Sequence, residues 1–283
     1  MSVRVGVVGV GAMGMGMARA MLARGLAVGV RDVVEARERE ALAAGATGLA
    51  ECDVLVSVVV DAAQTREVAR EHAHHAPVFM MCSTIAPSDT EAIAAELAAR
   101  GIEVLDAPIS GGPARAHAGT LSMMASGSPA AFDRCEPVVR ATSAKCFRIG
   151  ERPGDGSRMK VVNNMLAAAN LAAGCEAMAM AAMLGLDLKQ AADVVTASSG
   201  GSWIFADRMP RALEGDYAPR AASRVLLKDV GLFVHEARRL GLTAPMAESA
   251  REIFHDTVAR GFAEEDDAAV LKRYAAAWNV RLP

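Results

Sequence analysis

The sequence predicts an α/β architecture: a doubly wound parallel sheet in the first half, then an all-α second half that opens with one long helix. Three observations carry this. Short valine-rich apolar runs alternate with helical stretches as far as residue 106, and such alternation belongs to βαβ units built around a parallel sheet. Strand-type runs stop at residue 149, after which residues 158–184 continue without a breaker until Gly185. Of the 283 residues, 52% are hydrophobic but only 4% aromatic, so the core is Ala, Val, Leu and Met. The length suits two domains of roughly 100–200 residues each, placed at 1–155 and 156–283.

Residues 3–10 form a β-branched run whose only polar member is Arg4, as expected of a buried parallel strand. The run leads into Gly9, Gly11 and Gly14, spaced G-x-G-x-x-G with Ala12 and Met13 between them, and then into a helix over 13–24 stopped by Gly25. A second strand over 26–30 ends in Arg31 and Asp32. Each part has a physical reason. Gly9 permits a tight turn, Gly11 lets backbone approach a pyrophosphate, and Gly14 lets the helix pack on the strand. The helix N-terminus supplies N–H groups and a positive dipole end. An acid about 20 residues on, here Asp32, accepts hydrogen bonds from the adenosine ribose. The unit therefore reads as a Rossmann-type dinucleotide site. Asp32 would repel a 2′-phosphate, which favours NAD over NADP, while the neighbouring Arg31 keeps that preference from being absolute.

The rhythm continues with a helix over 36–44, a strand over 54–60, a helix over 62–74, a strand over 78–82, a helix over 88–100 and a strand over 102–106. Ligands of such sheets bind at the carboxyl ends of the strands, so the loops 60–64, 83–85 and 107–113 should line the nicotinamide half of the groove. His72, His74 and His75 lie at the end of a polar helix and read as a solvated helix end, not a metal site. Residues 106–113, DAPISGGP, either converge backbone N–H groups and the Ser110 hydroxyl on an anion or form an ordinary Gly-Pro turn. An apolar strand over 119–124, a helix over 132–140 and a short strand over 145–149 close the first half.

Residues 154–164 read GDGSRMKVVNN. Lys160, Asn163 and Asn164 stand at i, i+3 and i+4, along one side of a helix. Partial burial lowers an ammonium pKa, which would make Lys160 a proton carrier. The same residues also fit a plain helix start with a solvated lysine. The long helix over 158–184 carries small residues that admit close neighbours, and Met178, Met180 and Met183 as core fillers. Helices follow over 188–197, 226–240, 247–260 and 268–278, with Trp203 and Phe205 opening a further apolar segment. The acidic run 264–267 reads as a solvated N-terminal turn favoured by the helix dipole.

Charged residues make up 22% and the net charge is −3, which gives no sign of a nucleic-acid or membrane surface. No uninterrupted apolar run reaches the roughly 18 residues of a membrane span, and Arg4 breaks the pattern of a signal peptide. Five cysteines without a C-x-x-C pair read as buried thiols in a reducing cytoplasm, and no metal site is expected.

Four motifs then bear a resemblance: 9–14 (GVGAMG), 106–113 (DAPISGGP), 154–164 (GDGSRMKVVNN) and Lys228-Asp229. In order and spacing they resemble the β-hydroxyacid dehydrogenases, the family of 3-hydroxyisobutyrate dehydrogenase, tartronate semialdehyde reductase and L-threonate dehydrogenase. Segments 59–64, 201–205, 215–220 and 227–230 are similar to the L-threonate branch. The resemblance implies an all-helical second domain joined through one long helix, and a homodimer or homotetramer. It also implies NAD-dependent oxidation of a short hydroxycarboxylate. Position by position, it implies Lys160 as acid/base, Ser110, Gly111 and Gly112 as the substrate-carboxylate loop, and Asn164, with Asn163, as the orienting amide. Val59, Val60, Gln64, Thr84 and Lys228 would stand near the nicotinamide. Many members have proline where this chain has Val60. Alternatives on the same architecture are tartronate semialdehyde reduction, 3-hydroxyisobutyrate oxidation and a non-catalytic NAD-binding sensor.

Overall fold

In the computed structural model, which describes residues 3–281, the first valine run condenses into β1 (Arg4–Val8). The next elements are α1 (Ala12–Ala23), β2 (Ala27–Arg31), α2 (Glu35–Ala43), β3 (Thr47–Gly48) and β4 (Val54–Ser57). They are followed by α3 (Ala62–His72), β5 (Val78–Met81), α4 (Pro87–Ala98) and β6 (Glu103–Asp106). The chain divides into two units, residues 1–160 and 161–283. In the first, six parallel strands lie in the order β3-β2-β1-β4-β5-β6. The order reverses beside β1, where ligands of doubly wound sheets bind. Val7, Val54, Val56, Val78 and Met80 are fully buried because helices cover both faces.

The far side of this sheet departs from the expected pattern. β7 (Ile109–Ser110), α5 (Gly112–Ala118), β8 (Leu121–Ser126), α6 (Pro129–Thr142) and β9 (Ser143–Gly150) complete it. Residues 107–113 are not one loop. Asp106, Ile109 and Ser110 share a single antiparallel register on β8, facing Ser126, Met123 and Ser122. Pro108 interrupts the pairing because it has no N–H, yet its carbonyl still accepts from the Met124 amide at 3.0 Å. α5, absent from the sequence expectation, has Pro113 in its first turn and is capped by left-handed Gly119. β9 pairs in parallel with β8 and is mostly exposed.

β4 ends at Ser57, short of the expected residue 60, because Asp61 caps α3 by accepting from the Gln64 amide at 2.9 Å. Cys52, Cys82, Cys135 and Cys175 are buried and Cys146 half-buried, all as free thiols. Burial pushes Cys52 up to about 11 and Cys135 up to about 12. His72 and His75 are half-buried where solvated side chains were expected; the His75 ring packs at 3.2 Å from the Glu51 carboxylate.

α7 (Asp155–Met183) runs past the division of the chain. By length and composition it could cross a membrane, and 44% of its most apolar stretch is buried within the protein. In the second unit it is followed by α8 (Leu188–Thr196), α9 (Trp203–Ala212), α10 (Ser223–Arg239), α11 (Pro245–Thr257) and α12 (Val270–Trp278). Leu171, Cys175, Phe205, Met209, Val230, Phe254 and Leu271 form its core. Phe205 lies directly against Gly174, where a Cβ would collide with its ring. Of three methionines expected inside, only Met178 is; Met180 and Met183 lie on the opposite side of α7 and are exposed.

The acidic run is a second correction. Asp266 and Asp267 are buried, not solvated, because arginines of α9 reach them. Arg208 Nε donates to Asp267 at 2.7 Å and lies 3.6 Å from Asp266, and Arg211 lies 3.7 Å from Asp266. Burial pushes the Asp267 carboxyl up, against the pull of Arg208.

Candidate active site

Two glycines of the turn between β1 and α1 have no room for a side chain. Gly9 has φ +91°, and a Cβ there would strike the Val58 carbonyl; a Cβ on Gly14 would strike the Gly9 carbonyl. Gly11 precedes α1 in extended conformation and offers no capping side chain, so the first-turn amides of Ala12 and Met13 face outward for an anion. At the end of β2, Asp32 is buried and accepts from the amides of Val10 (2.7 Å) and Val34 (2.8 Å). Each oxygen retains capacity for a second donor such as a ribose hydroxyl. Arg31 is engaged by Glu38, whose carboxylate also accepts from the Asp32 amide at 3.0 Å. Sequence reasoning missed Glu38, and also Arg37, whose guanidinium stands 3.9 Å from where a Gly11 Cβ would be. These residues fit a dinucleotide: a backbone cradle, a helix N-terminus and a carboxylate.

Val59 reaches the same turn; its Cγ1 lies 2.9 Å from the Cβ position of Gly9, and its amide donates to Ser83 Oγ at 3.4 Å. Gln64 folds back so that its Oε1 accepts from the Val60 amide at 3.1 Å. Val60 itself is 42% exposed, and Thr84 is half-buried just beyond β5. Ser110, Gly111 and Gly112 are half-buried at the end of β7, with positive φ of 135° and 74° at the two glycines.

Asp106 connects this segment with the start of α7. Its Oδ2 accepts from the amides of Gly154 and Ser157, both at 2.8 Å, and its Oδ1 accepts from Ser157 Oγ at 2.8 Å. Ser126 Oγ donates to Oδ2 at 3.3 Å while accepting from the Gly156 amide at 2.9 Å. Burial pushes the Asp106 carboxyl up, and these donors oppose that shift. Lys160, one turn beyond Ser157, is 6% exposed, so a solvated lysine is excluded.

In the second unit, Asn163 Nδ2 donates to Asn164 Oδ1 at 3.0 Å, and buried Asn164 Nδ2 donates to Asp229 Oδ2 at 2.6 Å. Lys228 Nζ donates to Asp229 Oδ1 at 2.7 Å. Asp229 thereby gathers two of the residues singled out in the sequence; its place beside Lys228 was its only signal. Among the described residues, no group of three or more His, Cys, Asp and Glu side chains is placed to hold a metal ion.

Known proteins resemble this chain over nearly its whole length. A family model described as the NAD binding domain of 6-phosphogluconate dehydrogenase matches residues 4–150. One described as NAD-binding of NADP-dependent 3-hydroxyisobutyrate dehydrogenase matches residues 154–274. The chain is 40% identical to the L-threonate dehydrogenase of Escherichia coli (strain K12), over 96% of this chain and 94% of that protein. It is 37% identical to the L-threonate dehydrogenase of Cupriavidus necator, over 96% of each. The solved 3-hydroxyisobutyrate dehydrogenase from Salmonella typhimurium superposes with a TM-score of 0.90 at 41% identity, covering 96% of this chain and 100% of that one. A tight glycine turn, a buried carboxylate at the end of β2 and relatives matched almost end to end lead to one conclusion: the chain belongs to the 3-hydroxyisobutyrate dehydrogenase-like family of β-hydroxyacid dehydrogenases and is an oxidoreductase that oxidises a hydroxyacid with NAD.

Proposed function

We propose that the substrate is a short, polar hydroxycarboxylate of the L-threonate type and that Lys160 is the general acid/base. The observation that carries the role of Lys160 is its burial in the first turns of α7, close in sequence to the residues that Asp106 holds. The names of the relatives at 37–40% identity support the substrate class. The Gly9–Gly14 backbone, with the amides of Ala12 and Met13, holds the pyrophosphate, and Asp32 holds the ribose. Val59, Val60, Gln64, Thr84 and Lys228 serve the nicotinamide end. NAD held there would supply the hydride acceptor.

The Ser110 hydroxyl and the backbone of Gly111 and Gly112 hold the substrate carboxylate. Asn164, backed by Asn163, orients the reacting hydroxyl. As an unprotonated amine, Lys160 takes the hydroxyl proton while the carbinol C–H bond breaks and the C=O bond forms. In the reverse direction it returns that proton to the carbonyl oxygen. Arg31 is engaged by Glu38, and this together with Asp32 supports NAD over NADP. The enzyme works in the cytoplasm as a homodimer or homotetramer.

Proton transfer of this kind is worth about 10²–10⁴-fold. Lys160→Ala should lower kcat by that factor with NAD affinity retained in a fluorescence titration; a variant that turns over like the wild type removes Lys160 from the mechanism. The 41% identity to a solved 3-hydroxyisobutyrate dehydrogenase favours a second substrate reading. A panel of L-threonate, D-glycerate and 3-hydroxyisobutyrate with NAD decides between them by kcat/KM. NAD binding without turnover of any of the three would point to a sensor instead.

A further inference from the structure

We infer that Asp106 is a positioning residue for the reaction: its buried carboxylate pins the first turn of α7, and so sets where Lys160 stands relative to the Ser110–Gly112 segment. This inference rests on the general acid/base reading of Lys160.

Asp106 is 1% exposed, and four donors converge on its two oxygens. Three come from residues 154–157, the turn that leads into Lys160. Ser157 is held twice, through its amide and its hydroxyl, and the hydroxyl also meets Thr90 Oγ1 at 2.8 Å. The fourth donor, Ser126, holds the Gly156 amide, so the whole first turn is tied down. The backbone of Asp106 belongs to β6, and its register on β8 continues through Ile109 and Ser110. One residue therefore fixes both the segment proposed to grip the carboxylate and the helix turn that leads into the proposed base. A 1 Å misplacement of a reacting group can cost about 10²-fold in rate.

The experiment measures steady-state kinetics of Asp106→Ala, Asp106→Asn, Lys160→Ala and the double variant Asp106→Ala/Lys160→Ala, with NAD binding followed separately. Asp106→Ala should lose kcat on the order of 10²-fold with NAD affinity unchanged. Asp106→Asn should recover most of the turnover. Its carbonyl can still accept the two amides, and its NH2 can donate to Ser157 Oγ, which then donates to Thr90. In the Lys160→Ala background, Asp106→Ala should cost little more, because the group it positions is gone. Wild-type kcat in a folded Asp106→Ala enzyme overturns the inference, as does an Asn variant as impaired as the Ala variant, or full multiplicative loss in the double variant. If Asp106→Ala does not fold, Ser157→Ala carries the test, with a smaller kcat loss expected and wild-type kcat overturning it. Wild-type turnover in Lys160→Ala overturns the reading of Lys160 itself, which separates that failure from one confined to Asp106.

Discussion

Asp229 shows how much one buried carboxylate can organise: one oxygen takes the Asn164 amide and the other the Lys228 ammonium. Charge-assisted hydrogen bonds of this kind contribute about 1.5–3 kcal/mol. Asp229→Ala would leave the Asn164 NH2 buried and unmatched, and kcat/KM for the hydroxyacid should fall about 10–100-fold. NAD affinity should change far less, since Asp32 and the glycine turn are untouched; an equal loss of NAD binding would contradict this assignment. The residue scale is also where the sequence was most and least legible. Gly9, Gly11, Gly14 and Asp32 could be read because their chemistry lies within one βαβ unit of about 30 residues. The bonds of Asp106 to Gly154 and Ser157 and of Asp229 to Asn164 could not, because they join positions 48–65 residues apart and no local spacing encodes them. Glu38 fell between these cases. It is only six residues from Asp32, yet it reads as one more charge on a polar helix.

At the scale of elements, most helices and strands lie within a few residues of their expected limits, because period and breakers are local signals. The misses have physical causes. β3 is two residues long and has no pattern of its own. α5 is a single short helix in Ala-rich sequence; its Pro113 reads into the loop 107–113 and Gly119, just past its end, into the strand that follows. The start of α7 at Asp155, ahead of the expected 158, is set by the hydrogen bonds of Asp106 and Ser126 to its first turn. That close approach makes Gly156 a sensitive position. An added Cβ would lie 2.5 Å from the Met124 carbonyl and 2.9 Å from that of Asp106, and neither is a flexible side chain. Gly156→Ala should therefore destabilise by about 1–3 kcal/mol, seen as a lower thermal midpoint. Gly48→Ala, with nothing within 4 Å, should leave the midpoint near that of the wild type; equal midpoints for the two variants would refute the packing explanation.

At the scale of the whole molecule, a chain with 4% aromatic residues buries an ionic cluster in its helical half. Arg208 neutralises Asp267 and approaches Asp266, and removing one partner of such a group typically costs about 3–5 kcal/mol. Arg208→Leu should show a penalty of that order at neutral pH in denaturant unfolding. Burial raises the folded-state pKa of Asp267 above its unfolded value, so the folded state binds the proton more tightly and this group's contribution to stability falls as pH rises. Without Arg208 the shift grows, so the deficit of the variant should narrow toward pH 5 and widen toward pH 8; a deficit independent of pH would mean that lost packing dominates. The sequence displayed the acidic run but not its burial, because its arginine partners lie on a helix about 60 residues earlier. β9 has a different kind of consequence. It pairs only with β8 among the described strands, and its eight residues would otherwise present an open row of backbone groups to other molecules. Lys145 and Arg148 sit on it, lying over the rings of Phe147 and Phe132. Charged side chains on such an edge oppose pairing with the edge of another chain.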